Sequence, residues 1–129
     1  MYFLVVLVLD DVNKSPQIIE AWAEAGVSGI TIIESTGLGR PRDNVSLLDT
    51  NIMTSIRTLL QHREDPNRTM FSIVEGEAMV DKLIAVTEST VGKLSDPHRG
   101  LLFAFPLARV VGLATDKRGA YRPMDAENL

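Results

Sequence analysis

The first nine residues restrict this chain most. Tyr2-Phe3-Leu4-Val5-Val6-Leu7-Val8-Leu9 is aromatic, aliphatic and β-branched, with no polar residue to mark a solvent side. A run of this length and composition reads as a strand buried on both faces. A strand covered by helices on one face only would alternate, so a second layer has to cover the other face; another subunit is the simplest candidate. The run is too short to cross a bilayer, and no other stretch is long enough. It lacks a basic leader and a small-residue cleavage site and runs straight into Asp10-Asp11, unlike a signal peptide. The expectation is a cytoplasmic protein without membrane insertion.

With 129 residues, the chain has the size of one domain and can bury a core without covalent staples. It is 45% apolar and 23% charged, ordinary values for globular material. No cysteine is present, which excludes disulfides, thiol nucleophiles and cysteine-based metal sites. His62 and His98 are the only histidines, too few for a histidine metal cluster in one chain. A net charge of −4 argues against nucleic acid, which requires a basic face.

Ser15-Pro16 opens a helix, with Ser as N-cap and Pro at the first turn. Ile18, Ile19 and Trp22 form its apolar stripe and Gly26 its stop. Ser28–Glu34, rich in isoleucine, is a second strand that exits through Gly37-Leu38-Gly39-Arg40-Pro41. Residues 41–68 form a long connection carrying an amphipathic helix at 46–61, with Leu48, Ile52, Ile56 and Leu59 on its apolar side. Thr69–Val74 is a third strand. Val80, Leu83, Ile84, Thr87 and Val91 mark a further helix ending at Gly92. Gly100–Phe105 is a fourth strand, and after Pro106 residues 108–113 resume as an extended segment. Residues 116–129 form a polar, flexible tail. The order is two βαβ halves, an α+β layout whose natural solution is a ferredoxin-like double split βαβ in a single domain spanning 1–129. That solution leaves one sheet face bare. The apolar first strand and a mean hydropathy of +0.08 imply that copies of the chain cover it.

Two segments could hold a ligand. The glycines of Gly37-Leu38-Gly39-Arg40 allow close backbone approach, and Arg40 could pair with phosphate. Neither the dinucleotide fingerprint nor the P-loop is satisfied, and the same residues serve equally as a turn that ends a strand. Between helix and strand, Gly92, Lys93, His98, Arg99 and Gly100 could contact an anion or form a solvated loop. Asp10-Asp11 lacks a third carboxylate for a metal site. Glu34 reads as a strand-end carboxylate rather than a general base, and no Ser-His-Asp arrangement is present, so no catalytic residue is assigned.

Ala25-Gly26-Val27-Ser28-Gly29-Ile30-Thr31-Ile32-Ile33-Glu34, followed by Gly37-Leu38-Gly39-Arg40, resembles the nitrogen-regulatory PII signalling proteins. So does Gly100-Leu101-Leu102-Phe103-Ala104-Phe105-Pro106-Leu107-Ala108-Arg109-Val110, which is similar to their last core strand and the turn after it. The resemblance implies a ferredoxin-like subunit, a homotrimer and an adenine-nucleotide site between subunits, with ATP, ADP or AMP as the ligand. The implied site joins Thr31, Gly37, Leu38, Gly39 and Arg40 at the base of a T-loop to Gly92, Lys93, His98, Arg99 and Gly100 of a B-loop. It further implies a regulator, not an enzyme, whose T-loop docks on a membrane transporter or a metabolic enzyme; here Leu48, Ile52, Ile56 and Leu59 would make that contact. Leu101, Gly112 and Ala114 stand where the family has cationic phosphate ligands, so another small anion is an alternative ligand. A trimeric CutA-like metal-binding protein and a small ferredoxin-like hydrolase are the rival readings. Scarce metal ligands count against the first, and the missing Arg-Asn pair counts against the second.

Overall fold

A computed structural model describes residues 1–38 and 64–113. Strand β1 (Tyr2–Leu9) leads through a 3-10 turn (Val12–Lys14) into helix α1 (Ser15–Ala25) and strand β2 (Thr31–Leu38). Strand β3 (Glu64–Glu75), helix α2 (Glu77–Val91) and strand β4 (Gly100–Pro106) complete the order. The sheet runs β2-β3-β1-β4 with every neighbouring pair antiparallel. β1 and β2 are therefore parallel to each other with β3 between them. This is the split βαβ topology, and the ferredoxin-like α+β expectation holds.

Register decides what each face buries. Odd residues of β1 face the helices: Val5, Leu7 and Leu9 are fully buried and cluster with Ile18 and Trp22 of α1 and Leu83 of α2. The Trp22 indole N–H donates to Thr87 Oγ1 at 2.9 Å, and that hydroxyl donates to the Leu83 carbonyl at 2.6 Å. The large apolar surface of Trp22 thus enters the core with its one polar atom satisfied. Ser72 Oγ donates to the Gly29 carbonyl at 2.6 Å, tying β3 to the α1–β2 connection.

Even residues of β1 face the side without helices. Val6 lies opposite Phe71 on one flank and Phe103 on the other, and is buried at 9% exposure. Flanking aromatics thus roof the central strand without a second layer. The flanks stay open: Ile33, Leu101, Phe103 and Phe105 are exposed, and the Phe103 and Phe105 rings stack 6.5 Å apart.

Several expected boundaries move. α1 begins at Ser15, but Ser15 is not its cap: its hydroxyl donates to the Val12 carbonyl at 2.6 Å, and Asp11 caps the preceding 3-10 turn through the Asn13 N–H. β2 starts later and runs through Gly37 to Leu38, because β3 continues to pair with it. β3 begins at Glu64, so the segment 64–68, expected as the end of the long connection, is strand. The extended segment expected over 108–113 forms no strand. The Leu107 N–H just before it reaches the Tyr2 carbonyl at 2.9 Å, and there β1 begins, so among the described residues no further strand lies alongside. The helix expected at 46–61 and the tail at 116–129 lie outside the described residues.

Candidate functional site

β3 links the middle of the sheet to its periphery. Residues 68–71 pair with both β1 and β2, while residues 64–67 pair with β2 alone. β1 stops at Leu9, opposite Arg68. Beyond it, β2 and β3 continue as a two-stranded stem bearing Ser35, Gly37, Asp65 and Asn67. An open cleft of about 310 Å³ lies against this stem, lined by Val12 and by Glu34, Thr36, Pro66 and Arg68 among others. Arg68 Nη2 bonds Glu34 Oε1 at 3.1 Å across the strands. Among the described residues its Nε is buried without a partner.

On the opposite face of the stem is a polar ladder. The Asn67 amide, oriented to satisfy both neighbours, accepts from the Gly37 N–H at 3.2 Å and donates to the Ser35 carbonyl at 3.1 Å and to Ser35 Oγ. Ser35 Oγ and Thr69 Oγ1 share a further hydrogen bond at 2.9 Å, in which either hydroxyl can donate. The end of the amide lies 2.6 Å from where a Cβ on Gly37 would stand, so glycine is what admits Asn67.

The second expected segment closes α2. The Gly92 N–H donates to the Glu88 carbonyl at 2.9 Å, while the Glu88 carboxylate accepts from the Leu94 N–H at 2.9 Å. The Arg99 guanidinium folds back to 3.5 Å from where a Gly92 Cβ would stand. His98 has φ 63°, a conformation uncommon outside glycine. Gly100 has φ 143°, and a Cβ there would approach the Val8 carbonyl to 2.6 Å; only glycine lets the loop enter β4 so close to β1. Lys93, His98 and Arg99 are all exposed.

Of the expected ligand residues, Thr31 begins β2 with its side chain exposed, and Gly37 and Leu38 end that strand. Gly92, Lys93, His98 and Arg99 lie between α2 and β4, and Gly100 opens β4. Both segments sit at the end of the sheet where β1 terminates, but on opposite edges. Three strand spacings, about 14 Å, separate those edges, so one chain does not bring the two segments together. Gly39, Arg40, Leu48, Ile52, Ile56 and Leu59 lie outside the described residues. Leu101, which the sequence resemblance sets at a cationic position, points its exposed side chain onto the open sheet face.

Asn67 and Arg68 were not foreseen, because a polar run containing Pro66 reads as loop. The available signal was the alternation Asn67, Thr69, Phe71, Ile73, which carries the open-face register upstream of the apolar part of β3. Among the described residues, no group of three His, Cys, Asp or Glu side chains converges to hold a metal. No described helix is long and apolar enough to cross a membrane.

No protein-family model matches the chain, and no curated protein matches its sequence. Solved structures do match. GlnK of B. subtilis, a PII protein, is 13% identical with a TM-score of 0.55, over 88% of this chain and 91% of that one. A structure of the B. subtilis GlnK–ATP complex is 15% identical with a TM-score of 0.56, over 83% of each chain. The PII resemblance read in the sequence thus holds for the fold: the chain has a ferredoxin-like α+β fold of PII-like architecture.

Proposed function

We propose that this chain is a cytoplasmic, non-enzymatic regulatory protein of PII-like type. It binds an adenine nucleotide, or another small anion, between subunits of a homotrimer. The observation that carries this reading is the placement of the two glycine-containing segments. They share one end of the sheet and stand on opposite edges, so the B-loop segment of one copy can meet the T-loop base of a neighbour. The open face with Phe103, Phe105, Ile33 and Leu101 supplies apolar surface for that assembly. The GlnK–ATP complex, alike in fold, supports adenine nucleotide as the first ligand to test.

In this reading Thr31, Gly37, Leu38, Gly39 and Arg40 contribute from one copy. Gly92, Lys93, His98, Arg99 and Gly100 contribute from the next. Residues 41–63 and the stem on which they stand form the T-loop, and Leu48, Ile52, Ile56 and Leu59 contact a membrane transporter or a metabolic enzyme. Calorimetric titration with ATP, ADP and AMP, alongside light scattering, tests the proposal. Binding at one site per chain in a particle of three copies is expected. No heat with any of the three at millimolar concentration would overturn the nucleotide version, and a monomeric particle would overturn the intersubunit site.

A further inference from the structure

The Asn67 amide is the best-connected polar side chain at the stem. It accepts from the Gly37 N–H and donates to the Ser35 carbonyl and Ser35 Oγ, leaving each of its polar atoms with a partner. Gly37 is also the first glycine of the segment to which a ligand role is assigned above. Glycines serve an anion site by presenting bare N–H groups. With the Asn67 amide in the orientation that satisfies its neighbours, the Gly37 N–H is not bare: Asn67, directly across the ladder from Ser35, accepts from it at 3.2 Å. A primary amide is well suited to that task, because one planar group supplies both the acceptor and the donors that two residues of the facing strand require.

We infer that Asn67 is a positioning residue, an internal latch that occupies the Gly37 N–H and keeps the glycine segment in strand conformation. The latch belongs to the chain without ligand. Below Arg68 no third strand joins the stem among the described residues, and a two-stranded ribbon alone is marginal. The Asn67–Ser35–Thr69 ladder therefore supplies side-chain pinning where backbone pairing is weakest. A ligand that uses the Gly37 N–H must displace the amide, so the closed latch and ligand binding are opposed, and whatever opens the stem favours binding. This last step rests on the ligand reading above; the latch itself does not.

Two variants release the latch by independent routes. Asn67→Ala removes the amide. Gly37→Ala leaves it but places a Cβ 2.6 Å from its end. Amide hydrogen exchange, followed by NMR on the full chain, reads the result at Gly37 directly. Both variants are expected to speed exchange of the residue-37 amide about tenfold or more, to leave Met70 and Val5 unchanged, and to combine without additivity. Asn67→Asp, which keeps an acceptor for the N–H but cannot donate to the Ser35 carbonyl, should fall between wild type and Asn67→Ala. Trp22 fluorescence during urea unfolding checks that the fold survives.

Exchange at residue 37 in Asn67→Ala within twofold of wild type would overturn the latch. Titration with ATP separates the two ideas. Tighter binding by Asn67→Ala supports opposition between latch and ligand. Weaker binding overturns that opposition, because Asn67 would then be a ligand residue itself. Binding by neither protein defeats the nucleotide reading and leaves the exchange result to decide the latch.

Discussion

The two faces of the sheet are built from nearly the same amino acids and end in different environments. On one, Val5, Leu7 and Leu9 are covered by α1 and α2 and excluded from water. On the other, Val6 is sheltered by Phe71 and Phe103, while Phe103, Phe105 and Leu101 lie open. Hydrophobicity alone therefore does not say which face carries the core. The covered face owes its order to side chains interlocking with two helices, and the open face has only its own flanks. An apolar area left that way on a small domain is a surface for another molecule.

Substitutions across the two faces should rank by how fully their surroundings are fixed. Leu7→Ala, at the centre of the covered face, should destabilise the chain by about 3 kcal/mol, through lost burial and an unfilled cavity; urea unfolding followed by Trp22 fluorescence measures it. A loss below about 1 kcal/mol would mean the helix layer collapses into the gap, erasing the contrast. Thr87→Val keeps the shape but leaves the Trp22 N–H buried and without an acceptor, at a cost of about 1–2 kcal/mol by the same measurement. Phe103→Asp, on the open face, should change the stability of the isolated chain by no more than about 0.5 kcal/mol while reducing the proposed trimer to single copies in light scattering. A trimer that survives this change would show that copies meet elsewhere. Glu34→Gln breaks an ion pair whose carboxylate side is 84% exposed. It should have the smallest effect, under about 0.5 kcal/mol, measured as a melting shift that shrinks further with added salt.

How much of this could be read in advance follows the same division. β1, the stop of α1 at Gly26 and the end of α2 at Gly92 were legible, because burial imposes a continuous apolar run and helix ends demand particular backbone geometry. The N-terminal part of β3 was not. Glu64-Asp65-Pro66-Asn67 is polar and holds a proline, yet it forms strand because a single partner, β2, continues alongside it. Such a strand end faces water and needs no apolar side chains, and proline is tolerated at an edge. Ser15 misled in the opposite direction: its type fits a cap, but Asp11 captures the turn before it. In the candidate site, the glycines were visible from sequence as positions of unusual freedom. Asn67 was not, since its role depends on which residue lies across the ladder.

β3 joins the middle of the sheet to the base of the connection in one uninterrupted strand. Its C-terminal half is fixed by the register of Val74 opposite Phe3 and Met70 opposite Leu7, and sliding by one residue would turn Met70 and Val74 out of the core. A disturbance at the stem therefore cannot travel into the sheet as a gradual shift. It has to be absorbed as bending or unzipping beyond Arg68, which makes the end of β1 a natural stop for motion. The strand works like a ruler clamped along half its length: the free half can flex, and the clamped half sets the point from which it does.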